Sequence, residues 1–207
     1  MTEIAPRPTK RLTRKGQATR DRIVTAAARL MLEHGVARTS IEDIQAAAGV
    51  SASQLYHYFP GKDALVSAVI DHQTTYVLDV QQDCLGRLDT IDSLGHWRDL
   101  MVGILTEMQC VGGCPLGSLA VDVAESDPVA RTQLDAAFTQ WEALIRGGLT
   151  EMQQRGELAG SADPAALAVA MLAAVQGGLL LSQVRRDPAP LRIAVDTMIE
   201  HLRALTR

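Results

Sequence analysis

Apolar side chains recur at three- and four-residue intervals through nearly the whole chain, the period of a helix face laid against a core. No stretch alternates apolar and polar residues as a half-buried strand would, so the pattern predicts an all-α fold. A first helix over residues 17–34 sets Ile23, Ala26, Ala27 and Leu30 on one stripe and stops at Gly35. Thr39, Ser40, Ile41 and Glu42 form a capping-box pattern that opens a short helix, broken by Gly49. Ser51, Ala52, Ser53 and Gln54 repeat the pattern and open another short helix, ended by Pro60 and Gly61. A long helix then starts near Lys62 and runs toward Gly86, with Leu65, Val69, His72 and Tyr76 on its inner stripe. Helices over 93–110, from Pro115 to about 125, and over 128–156, 164–186 and 188–205 complete a set of about nine.

The two short helices joined by Ala48, Gly49, Val50 and Ser51 make a helix-turn-helix, with Gly49 where the first must end in a left-handed residue. The pattern therefore divides the chain into a flexible basic arm (1–16), a three-helix DNA-binding domain (17–62) and a larger helical domain (63–207). Charge follows the same division. The formal net charge is −4, yet residues 1–62 hold ten basic against five acidic residues, and 63–207 hold ten against nineteen. A positive end on an acidic body suits a polyanion at that end. Tyr56, Tyr58 and Phe59 gather three of the seven aromatics around the second short helix. Ser51, Ser53, Gln54 and His57 offer groups suited to base edges and phosphates, and Lys62 joins its ammonium to the amides of the next helix start. Phe59 reads as a core anchor.

Residues 17–70 closely resemble the DNA-binding domain of TetR-family repressors. The resemblance rests on Thr39-Ser40-Ile41-Glu42-Asp43-Ile44, Ala48-Gly49-Val50-Ser51, Leu55-Tyr56-His57-Tyr58-Phe59 and Lys62-Asp63-Ala64-Leu65. It implies a dimer whose last two helices form a four-helix interface, a ligand pocket in the second domain, and release of DNA on ligand binding. By the same resemblance Thr39 and Ser40 look like phosphate contacts at the start of the family's second helix. Ser51, Ala52, Gln54 and His57 match positions facing bases or the nearby backbone, and Tyr56, Tyr58 and Lys62 match phosphate contacts. Many members carry an aromatic followed by His where this chain has His57 and then Tyr58. In the second domain, the segments from Gly113 to Ala120 and from Gln176 to Leu181 resemble the subgroup that includes regulators of multidrug-resistance genes.

A hydrophobic content of 47% and a charged content of 21% describe an ordinary soluble globular protein, long enough at 207 residues to bury its own core. The most apolar stretch, 165–181, is short, contains Gln176, Gly177 and Gly178 and runs into Arg185 and Arg186, so it reads as an interface helix with no membrane partner. Together 164–186 and 188–205 carry more apolar surface than one chain should expose, which points to a homodimer. Three cysteines make no disulfide framework, and the basic N-terminus lacks the apolar core of a secretory signal, so a cytoplasmic location is expected. Cys110 and Cys114 with His96 fit no common zinc spacing, and no nucleophile has a plausible base. Neither a metal, a cofactor nor an enzymatic activity is expected. Trp97, Met101, Met108, Phe138 and Trp141 stand at helical spacing as core or as the lining of an apolar effector pocket. The leading reading is a repressor released from palindromic double-stranded operator DNA by a small apolar effector. The alternatives are a repressor that senses oxidants or electrophiles through Cys110 and Cys114, and a small helical enzyme or interaction protein that binds no DNA.

Overall fold

The structure, a computed structural model, describes residues 12–206, which form ten α-helices and no strand beyond one isolated bridge between Leu158 and Thr206. The first helix, α1 (Arg14–His34), begins three residues before the expected start. Thr13 Oγ1 accepts the Gly16 N–H and caps it, so residues 14–16 belong to a helix and not to the arm. Residues 1–11 of that arm lie outside the described residues. Gly35, with φ of 83°, ends α1.

Next come α2 (Ile41–Ala48) and α3 (Ala52–Tyr58). Each opens on a complete capping box, Ser40 with Asp43 and Ser51 with Gln54, and Gly49 takes the left-handed conformation between them. Ile23, Ala27, Ile44 and Leu55 are wholly buried where these helices meet. The fourth helix, α4 (Lys62–Asp79), packs against α1 on one side and against the second part of the chain on the other. Its buried stripe is Leu65, Val69, Gln73 and Val77, while His72 and Tyr76, expected inside, are exposed.

The long helix expected toward Gly86 stops at Asp79, and a single turn, α5 (Gln82–Leu85), supplies the tenth helix. Gln81 lies in the break. Its side chain turns inward, donates to the Val77 carbonyl (2.6 Å) and accepts the indole N–H of Trp97 (2.9 Å). Then follow α6 (Ile91–Glu107), α7 (Pro115–Val123), α8 (Pro128–Gln154), α9 (Pro164–Arg185) and α10 (Ala189–Ala204). Proline in the first turn and an aspartate cap, Asp127 or Asp163, start α8 and α9. The core of the second part runs between α6, α8, α9 and α10, with Trp97, Trp141, Ile145, Leu149, Met171 and Leu202 fully buried. Gly178 lets α10 approach α9 closely, since a Cβ there would lie 2.7 Å from the Leu191 Cα.

The α6–α7 connection is strained. Gln109 and Cys110 both adopt left-handed angles (φ 52° and 54°), conformations that cost non-glycine residues about 1–2 kcal/mol each. They end α6 at Glu107, short of the expected Cys110, and Arg186 at the end of α9 holds the turn by donating to the Cys110 carbonyl at 2.7 Å.

Candidate functional site

Short helices capped at both starts present a polar surface at the N-terminal end of the molecule. Ser51, Ala52, Ser53, Gln54, Tyr56 and His57 are all exposed along α3, and Tyr58 is half-buried. Leu55 and Phe59 anchor the helix from beneath, and Arg20 lies over the Phe59 ring at 5.3 Å. Gln54 is already partly engaged. Its Oε1 accepts the Ser51 N–H at 2.9 Å, so within the cap its amide N–H₂ remains to donate outward. Tyr58 reaches the start of α1, where Arg14 and Lys15 are exposed. Lys62 sits on the first turn of α4, whose cap residue, Gly61, offers no side chain to the free amides. An anion at that point meets unpaired N–H groups and an ammonium together.

Thr39 and Ser40 separate. Ser40 caps α2, and its hydroxyl and backbone N–H hold the Asp43 carboxylate below its ordinary pKa. Thr39 is buried at 1% exposure and donates its hydroxyl to the Gly35 carbonyl at 2.9 Å. Its side chain closes the turn before α2, so the phosphate contact expected of it is corrected to a structural role, and Ser40 alone of the pair stands at the surface.

In the second part, a cavity of about 70 Å³ is lined by α4, α6, α7, α8 and α9. Of the five residues read as core or pocket lining, Met101, Met108 and Trp141 line it, and Trp97 and Phe138 do not. Trp97 is wholly buried and tied to Gln81, and Phe138 packs on the core elsewhere. Tyr76, Gln81, Ile104 and Leu179 complete much of the wall, with Gly113, Cys114 and Pro115 at one end. Tyr76, Val80 and Met108 are each more than a third exposed and form a rim. These additions come from helices far apart in sequence, and only the apolar stripe of α6 hinted at the site.

The helix that begins in the cavity wall ends against the helix-turn-helix part. Pro115 opens α7, and near its other end the Asp122 Oδ2 accepts the Val36 N–H at 2.7 Å, in the turn between α1 and α2. No sequence motif marks Asp122, an isolated acid on a short helix.

Cys110 and Cys114 are both buried. Cys114 caps α7, with Sγ accepting the Gly117 N–H at 3.4 Å. Its thiol is nonetheless pushed up from the ordinary value, because burial outweighs the helix amides. Burial thus leaves a packed, protonated thiol at that helix start, and nothing in the geometry supports the sensing alternative. Among the described residues no group of three or more His, Cys, Asp or Glu side chains could hold a metal. Among the described residues one helix, α9, is long and apolar enough to cross a membrane, and it is packed against α8 and α10.

Two family models match separate stretches of the chain. Residues 23–69 match the model for bacterial regulatory proteins of the tetR family, and residues 91–198 match that of the tetracyclin repressor-like C-terminal domain. The transcriptional regulator TtgR of Pseudomonas putida is 32% identical over 178 residues, covering 81% of each chain. The transcriptional repressor DhaR of a Mycobacterium species is 25% identical, covering 88% of this chain and 91% of its own. A solved TetR transcriptional regulator from Chloroflexus aurantiacus superposes with a TM-score of 0.81 at 28% identity, covering 94% of this chain and 99% of that one.

Proposed function

The chain belongs to the TetR family of helix-turn-helix transcriptional regulators, and from that premise we propose that it is a homodimeric repressor released from its operator by a small apolar effector. DNA is bound through Ser40, Ser51, Ala52, Ser53, Gln54, Tyr56, His57, Tyr58 and Lys62. The observation that carries the ligand response is the double attachment of α7. Its first residue lines the cavity, and Asp122 near its far end holds the turn ahead of α2. A ligand that moves the cavity end of α7 therefore acts on the orientation of α2 and α3. Release requires the effector to bind one orientation better than the other, since equal affinity for both shifts nothing.

The dimer forms through residues 164–186 and 188–205. It sets two recognition helices over half-sites roughly one helical turn apart, ~34–36 Å, on an approximately palindromic site. The protein works in the cytoplasm, where its operator is.

Gel-shift titration against the DNA upstream of its own reading frame, at several salt concentrations, tests the assignment. Lys62→Ala should weaken binding alike on operator and unrelated DNA and flatten the salt dependence by about one unit. Gln54→Glu keeps the capping box, because Glu replaces Gln in that motif, but exchanges an outward donor for a carboxylate. It should lose discrimination at one base position, worth roughly 1–3 kcal/mol. Identical behaviour of the two variants across sequences and salt would contradict these roles.

A further inference from the structure

The two tryptophans of the second part differ in one respect. The Trp97 indole N–H is paired with Gln81, whereas the Trp141 Nε1 is buried without an acceptor. Indole nitrogen is a donor only, and Trp141 is 1% exposed, so water does not satisfy it from outside. Trp141 also lines the cavity.

No group of the wall pairs with this donor. Gln81 spends its oxygen on Trp97 and its nitrogen on the Val77 carbonyl. Cys114 Sγ accepts from Gly117, Tyr76 stands at the half-exposed rim, and every remaining lining side chain is apolar. No charged side chain lines the cavity. An ionic ligand would surrender its hydration there with no opposite charge to replace it.

We infer that the effector is an uncharged, mainly apolar molecule bearing a hydrogen-bond acceptor, such as a carbonyl or ether oxygen, that takes the indole N–H of Trp141. This rests on the cavity being the effector site. At about 70 Å³ the space is smaller than the ~150 Å³ of an apolar cavity that holds benzene. A single-ring ligand therefore enters by displacing flexible side chains, and Met101 and Met108 are the ones suited to yield. Met108 is also the residue that leads into the strained turn at Gln109 and Cys110, so a ligand seated on Trp141 presses on the start of α7.

Acetophenone and ethylbenzene make the matched probes, nearly equal in shape and differing in the carbonyl. Calorimetry on the full chain should show acetophenone binding about tenfold more tightly than ethylbenzene. Trp141→Phe should bring the two within about twofold of each other, chiefly by weakening acetophenone, and Trp97→Phe should leave the ratio near tenfold. In the wild type labelled with ¹⁵N at its indoles, the Trp141 N–H resonance should move downfield with acetophenone and not with ethylbenzene. This needs no variant at Trp141 to fold. A ratio unchanged by Trp141→Phe, or an indole resonance blind to the carbonyl, overturns the inference while leaving the cavity as the effector site. Binding of neither probe, or binding that survives filling of the cavity by Ile104→Trp, removes the site itself and the inference with it.

Discussion

Gly147 and Gly148 are neighbours in the last third of α8 and share the same helical backbone, yet their surroundings are opposite. A Cβ on Gly147 would meet nothing within 4 Å, whereas one on Gly148 would stand 2.0 Å from the Leu88 carbonyl oxygen. Gly147→Ala should therefore stabilise the protein by about 0.5–1 kcal/mol, the usual gain of alanine over glycine in a helix. Gly148→Ala should destabilise it by at least ~1–3 kcal/mol, because backbone and not a flexible side chain is in the way. Urea unfolding midpoints moving in the same direction would contradict the seating of α8 against Leu88. Nothing in the pair Gly-Gly distinguishes the two, and the same limit applies at Thr39 and Ser40. The spacing in the sequence pairs Thr39 with Glu42, whereas the capping box that forms is Ser40 with Asp43. The burial of Thr39 under Gly35 decides, and burial is a property of the folded chain. Cys114 follows the same logic, since its place at a helix start was legible but its desolvation was not.

At the scale of elements, most helix beginnings were legible, α1 and the unforeseen α5 excepted, and helix ends often were not. Beginnings carry their own chemistry, as at Ser51 with Gln54 or at Pro115, Pro128 and Pro164. The ends of α4 and α6 are set by partners distant in sequence, Trp97 drawing in Gln81 and Arg186 holding Cys110. The helix-turn-helix could be read because it is wholly local. The cavity could be read only in part, because five helices contribute to its wall. The attachment of α7 to the DNA-binding part is likewise non-local, and it makes a direct prediction. Asp122→Ala leaves the Val36 N–H, on a residue only 8% exposed, without its acceptor. An unsatisfied buried donor costs about 1–3 kcal/mol, so hydrogen exchange at the Val36 amide should quicken at least about fivefold. Amides of Ile23 and Leu65 should be little affected, since neither depends on that bond. Unchanged exchange at Val36 would mean that α7 merely lies beside the turn, and the proposed coupling would lose its link.

For the whole molecule, the unresolved surface is on α9. Val169, Leu180, Leu181 and Val184 are 46–74% exposed, and with Ala173 and Gly177 they follow the three- and four-residue spacing of a single face. Ile193 of α10, 64% exposed, adds to the apolar surface of this last pair of helices. The opposite side of α9 is taken by α8 and α10, and Gly178 serves that inner contact. Gly177 does not, for a Cβ there would meet nothing within 4 Å. A small residue within an open apolar stripe is what lets a second copy of the helix approach across a twofold axis. The wild type should therefore sediment as a dimer of 22.3 kDa chains at micromolar concentration. Leu180→Glu places two like charges near each other in a self-matching interface and should yield a folded monomer with greatly weakened operator binding, because one half-site contact is lost. Gly177→Leu should act in the same direction without disturbing the protomer, whereas Gly178→Leu should unfold it against Leu191. Val121→Glu is the control, since Val121 is 86% exposed on α7 and away from the stripe, and it should leave the dimer intact. A monomeric wild type, or a Leu180→Glu protein that still sediments as a dimer, would place the interface elsewhere and with it the spacing of the two recognition helices.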